Sequence, residues 1–84
     1  MAYRLEFTAG AARQFRKLAK HVQVRLAPQI SALANNPHPA GAKKLKGTGG
    51  YRLRVGDYRV LYEIQDNESR VLVVNVGHRR EVYR

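Results

Sequence analysis

Residues 50–64 read GYRLRVGDYRVLYEI, two alternating runs separated by Gly56-Asp57. A Gly-first pair between such runs signals a two-residue hairpin, because a type II′ turn needs positive φ at its first central residue. Closing the turn on Val55 and Tyr58 sets the register, so that Arg54 faces Arg59 across the ladder and Arg52 faces Leu61. Tyr51, Leu53, Val55, Tyr58, Val60, Tyr62 and Ile64 then share one face and are expected in the core. The opposite face carries the arginines. Like charges opposed on one sheet face destabilise it by roughly 0.2–1 kcal/mol, and a bound anion would reverse that term. The functional reading is a sheet face that holds phosphate; the alternative is arginines splayed into water.

Upstream, Tyr3, Leu5 and Phe7 alternate with Arg4 and Glu6, which predicts a short first strand. Thr8 is placed to cap a helix whose buried stripe is Ala11, Phe15, Leu18 and Ala19, with Arg13, Arg16, Lys17 and Lys20 turned away from it. Val22, Leu26, Ile30 and Leu33 repeat the pattern in a second helix, roughly His21 to Ala34. Pro28 lies on its outward side, where a kink or a late start is expected. Asn35-Asn36-Pro37 ends that helix. Pro37 to Gly50 shows no periodicity and is expected as a long connection. Downstream, a turn at Asp66 to Ser69 leads to a third strand after the helices, Val71 to Val76. That strand is apolar on both faces except at Asn75, as an interior strand is. The expected fold is α+β, β-α-α-β-β-β, a single domain over residues 1–84. Its two N-terminal helices pack on one face of a small, mainly antiparallel sheet.

The chain has 84 residues, 16 Lys and Arg against 6 Asp and Glu, and no cysteine. Disulfides and thiolate metal sites are therefore excluded. The N-terminal MAYRLEF lacks a signal-peptide apolar stretch and no run is long enough to span a membrane, so a cytoplasmic protein is expected. The distribution of charge is more telling than the net value of +10. Between Phe7 and Gly56 there is no Asp or Glu, while Arg13, Arg16, Lys17, Lys20, Arg25, Lys43, Lys44, Lys46, Arg52 and Arg54 all fall there. Such a stretch projects a positive field and points to a polyanionic partner, nucleic acid first.

His21, His38 and His78 have no metal-binding spacing, and neither a metal nor a cofactor is expected. Gly47-Thr48-Gly49-Gly50 leads into a strand and not a helix, so it is no nucleotide-binding loop. What remains is Arg52, Arg54, Arg59, Arg79, Lys46, His78 and Tyr83. Such a set suits phosphoryl chemistry on RNA with the ribose 2′-OH as internal nucleophile. That reaction needs a grip on the phosphate, charge stabilisation of the transition state and two proton transfers. Arginine forks serve the first two. His78 and Tyr83 are the side chains able to titrate, and Tyr83 is equally suited to stacking on a base.

The order of elements, together with PAGAKKLKG, GYRLRVGDYRVLYEI and VGHRREVYR, resembles the RelE branch of the RelE/ParE toxin superfamily over essentially the whole chain. The resemblance implies a toxin that binds the A site of the small ribosomal subunit, cuts mRNA there, and is neutralised by a small antitoxin, expected to be acidic and DNA-binding. It places the catalytic residues on Arg52, Arg54, Arg59, Arg79 and Tyr83. Contacts to RNA or the ribosome are expected from Arg13, Lys17, Lys20, Lys43, Lys44, Lys46 and His78. The chain departs from well-known members in having Arg52 and Arg54 where they carry lysines, one of them cast as the general base. Arginine supplies the charge but is a poor base. Two other readings are a ParE-like gyrase poison that cuts nothing and a plain RNA-binding module.

Overall fold

The computed structural model describes residues 2–47 and 49–78. The elements run β1 (Arg4–Phe7), α1 (Ala9–Arg16), α2 (Lys20–Ala32), β2 (Ala42–Lys44), β3 (Tyr51–Val55), β4 (Tyr58–Gln65) and β5 (Arg70–His78), with a 3-10 turn over Asp66–Glu68. They form a five-stranded sheet in the order β1-β5-β4-β3-β2. The pair β1·β5 is parallel and the other pairs are antiparallel. Both helices bury their apolar stripes on one sheet face. Ala11, Val22, Leu26, Ile30 and Leu33 meet Leu53, Val60, Tyr62, Val71, Val73 and Val76 in a continuous core.

Local chemistry sets the boundaries. Thr8 caps α1 as expected, its Oγ1 accepting the Ala11 N–H at 3.1 Å. The first helix ends at Arg16, so Leu18 and Ala19 do not continue its stripe: Leu18 packs from the corner and Ala19 is the N-cap of α2. Gln23 closes that corner, donating from Nε2 to the carbonyls of Leu18 at 2.9 Å and Arg16 at 3.1 Å. The second helix runs Lys20–Ala32 straight through Pro28. Pro28 removes the donor that the Val24 carbonyl would use. Val24 is 62% exposed, so water can serve that carbonyl instead.

Two further features differ from the sequence expectation. The connection after α2 contains a short strand, β2, paired outside β3 with Lys43 opposite Arg52. The last strand is longer than expected and carries a bulge: Leu61 pairs with Asn75 but Tyr62 pairs with Val73, leaving Val74 as the extra residue. The bulge resets the alternation, which is why Val71, Val73 and Val76 are all buried on the helix side.

Candidate nucleic-acid interface

The hairpin has the register that its turn demands. Gly56 has φ +60°, Val55 pairs with Tyr58, Arg54 with Arg59, and Arg52 with Leu61. Carrying the register outward assembles two rows on the face away from the helices. One row is Arg54, Arg59 and Gly77; the next is Lys43, Arg52, Leu61 and Asn75. Four cations therefore occupy adjoining positions on three strands, and Gly77 leaves the position beside Arg59 without a side chain.

The arginines are not equivalent. Arg54 is exposed, because β2 pairs no further along β3 than Leu53 and leaves Arg54 without an outer neighbour. Arg59 is 3% exposed, contrary to the expectation of an open arginine. It sits on β4, the middle strand, with β3 and β5 on either side. Arg52 is half-buried between them. A guanidinium held in lower dielectric acts more strongly on a phosphate than one in free solvent.

The same face continues into a cleft of about 200 Å³ walled by Leu45, Leu61, Glu63 and Val74. Lys46 is exposed next to it in sequence, in the turn closed by the Leu45 N–H donating to the Gly50 carbonyl at 2.8 Å. Sequence reasoning missed this cleft and the place of Gly77. Both depend on the bulge at Val74, which shifts every later residue of β5 to the other face.

His78 moves with it. Strict alternation from Val73 would put His78 on the arginine face; the bulge puts it on the helix face. There it pairs with Tyr58, their rings 5.5 Å apart and edge to face. The structure therefore separates His78 from Arg54 and Arg59. Lys44 also faces the other way, opposite Tyr51. Arg13, Lys17 and Lys20 are exposed on and beside the helices and are not gathered with the arginine rows. Arg79 and Tyr83 lie outside the described residues.

Charge is polarised along the sheet. At the end where β4 turns into β5, Arg70 is held by Glu6 at 3.0 Å, Glu68 at 3.2 Å and the side-chain amide oxygen of Gln65 at 2.6 Å. Tyr3 donates to Asp66 at 2.7 Å there, and that hydrogen bond pushes its phenol pKa upward. Cations at this end are thus matched by carboxylates. Among the described residues, the hairpin end holds Lys43, Arg52, Arg54 and Arg59 with Asp57 alone at the turn. No group of three or more described His, Cys, Asp or Glu residues gathers to hold a metal ion. No helix among the described residues is long and apolar enough to cross a membrane.

Tyr62 anchors the segment that carries β2. Its buried hydroxyl donates to the Pro37 carbonyl at 2.8 Å, and its ring stacks on Tyr51 at 5.8 Å. Tyr51 in turn meets His38 edge to face at 5.3 Å. Burial, with a smaller contribution from Tyr51, pushes the Tyr62 phenol up to about 12.

The chain as a whole is similar to known proteins. The family described as "ParE toxin of type II toxin-antitoxin system, parDE" matches residues 5–83. The mRNA interferase toxin RelE of Escherichia coli K12 is 34% identical over 88 residues, covering 99% of this chain and 92% of that protein. Toxin RelE of Mycobacterium tuberculosis is 35% identical over 85 residues, covering 98% and 87%. Among solved structures, the toxin of the intact E. coli RelBE toxin–antitoxin complex superposes with a TM-score of 0.81 at 30% identity, covering 92% of this chain and 96% of that one.

Proposed function

We propose, for a chain that belongs to the RelE-like toxins of type II toxin–antitoxin systems, that it is a ribosome-dependent endoribonuclease cutting mRNA in the A site. The observation that carries this reading is the row of like charges, Arg54 opposite Arg59 with Arg52 and Lys43 beside them, on the face that neither helix covers. The K12 relative's name, mRNA interferase, supports the same chemistry.

In this reading the ribose 2′-oxygen attacks the adjacent phosphorus. The O2′–P bond forms as the P–O5′ bond breaks, leaving a 2′,3′-cyclic phosphate and a 5′-OH. Arg52, Arg54 and Arg59, joined by Arg79, hold the phosphate and stabilise the charge that builds on its oxygens. Arg59, being buried, is pre-set and loses little freedom on binding. Lys43 and Lys46 grip neighbouring phosphates, and the Leu61–Val74 cleft gives a flanking base an apolar wall. The 2′-OH proton passes to Tyr83 or, if Tyr83 stacks on a base, to solvent or ribosomal RNA. The leaving 5′-oxygen is protonated in turn. With His78 on the opposite face, its part in proton transfer is the weaker alternative. Cleavage is metal-independent in this scheme, because the arginines take the electrostatic role that Mg²⁺ plays elsewhere.

The test is cleavage of ribosome-bound mRNA carrying a single 2′-deoxynucleotide at the scissile position. Cutting should stop there, and the all-ribose product should end in cyclic or 3′-phosphate. Cleavage of the deoxy substrate would make water the nucleophile and overturn the scheme. The partner in this reading is an acidic antitoxin; the E. coli and M. tuberculosis structural relatives are toxin–antitoxin complexes. The ParE name of the matching family favours one second reading, a gyrase poison that cuts nothing. Brief expression separates the two: translation stops first for a nuclease, DNA replication first for a gyrase poison.

A further inference from the structure

Arg25, on α2, lays its guanidinium over the tip of the hairpin. A Cβ added to Gly56 would lie 2.7 Å from its Nη2, 3.1 Å from Cζ and 3.3 Å from Nη1. The arginine occupies the space that a side chain at position 56 would need. Gly56 therefore serves twice, once for the turn at φ +60° and once as a seat for this guanidinium. Arg25 is exposed on its helix and makes no hydrogen bond or ion pair among the described residues. Even Asp57, next along the turn, is beyond ion-pairing distance. A cation has been brought against a backbone turn two residues from Arg54, with its donors uncommitted. It contrasts with Arg70 at the other end of the sheet, which is wrapped in carboxylates.

We infer that Arg25 is a phosphate-binding residue for single-stranded RNA, carrying the backbone track from the arginine face round the hairpin tip onto α2. This rests on the reading of that face as an RNA site. Cations set in line, none of them ion-paired to Asp57, the one carboxylate at that turn, fit a linear polyanion, whose charges repeat along one path. An acidic protein segment is the other polyanion that such a line attracts, and the test distinguishes them.

The probe is a set of single-stranded RNA oligonucleotides, each with one phosphate replaced by an uncharged methylphosphonate, bound to wild type, Arg25→Gln and Arg25→Lys. Wild type should lose affinity at a short run of positions. Arg25→Gln should become insensitive at one end of that run while still responding at the positions read by Arg54. Its slope of log affinity against log salt should fall by about 0.7, as expected for one contact to a single strand. Arg25→Lys should keep the slope, and Arg4→Gln, at the carboxylate-rich end, should match wild type. An Arg25→Gln profile identical to wild type overturns the assignment while leaving the RNA face intact, and so does a lowered melting temperature with an unchanged slope. Wild type that shows no phosphate position dependence overturns the RNA face together with Arg25.

Discussion

Arg54 and Arg59 oppose each other in the ladder yet differ in what they risk. Arg54 is exposed, so Arg54→Ala removes a charge and little packing. A charge-assisted phosphate contact contributes roughly 1.5–3 kcal/mol, so we expect cleavage on the ribosome to fall about tenfold or more. The melting temperature should hold or rise slightly, because a like-charge pair is relieved. Arg59 is buried out to its guanidinium, whose Nε and Nη1 are covered, so Arg59→Ala should lose activity and also about 0.5–3 kcal/mol of stability. Thermal melts beside translation arrest separate the two, and equal melting behaviour would mean that the burial of Arg59 supports nothing. Tyr62 makes a second residue-scale test. Its phenol ordinarily titrates near 10 and is pushed up to about 12 in the fold. Between those values the folded chain keeps a proton that the unfolded chain has lost, so stability is full below pH 10 and falls as pH rises toward 12. Urea midpoints should drop over that window in wild type and drop less in Tyr62→Phe. That variant should also be less stable at neutral pH by roughly 0.5–1.5 kcal/mol, having lost the bond to Pro37.

Elements differ in how far residue types specify them. The hairpin was legible because a glycine-first pair and a strict alternation agree on one register, and no shift is consistent with both. Replacing that glycine is the corresponding test: Gly56→Ala should cost roughly 1–2 kcal/mol, since φ +60° is unfavourable for any side chain. Urea denaturation measures it, and an unchanged midpoint would show that the turn relaxes to another type. Thr8 was legible for a similar reason, its hydroxyl being suited to one position at a helix start. The short β2 was not, because Lys43 and Lys44 have little strand preference and only pairing with β3 holds them extended. The bulge was hidden because Val73, Val74 and Val76 are chemically alike, so no pattern marks which of them is the extra residue. That single displacement moved His78 to the helix face. Residue types revealed which face held arginines; they could not reveal that Arg59 would be covered, since burial depends on neighbours from separate strands.

At the scale of the whole molecule, a net charge of +10 would attract any polyanion, but its placement makes one end of the sheet the positive pole. Glu6, Asp66 and Glu68 neutralise the end around Arg70, while Lys43, Arg52, Arg54 and Arg59 face solvent or the sheet surface at the other. If capture of an acidic antitoxin is steered by that pole, location should matter more than charge count. Lys43→Glu and Arg4→Glu change the net charge equally but sit at different places, Lys43 beside Arg52 and Arg4 beside the Glu68 carbonyl. Association rates measured by stopped flow should fall several-fold more for Lys43→Glu at low salt. The gap should close as the Debye length shrinks from about 10 Å at 0.1 M salt to about 3 Å at 1 M. Equal slowing by both variants would mean that the antitoxin responds to net charge alone. A gap that persists at 1 M would instead make Lys43 a direct contact in the complex, where the loss should appear in the dissociation rate.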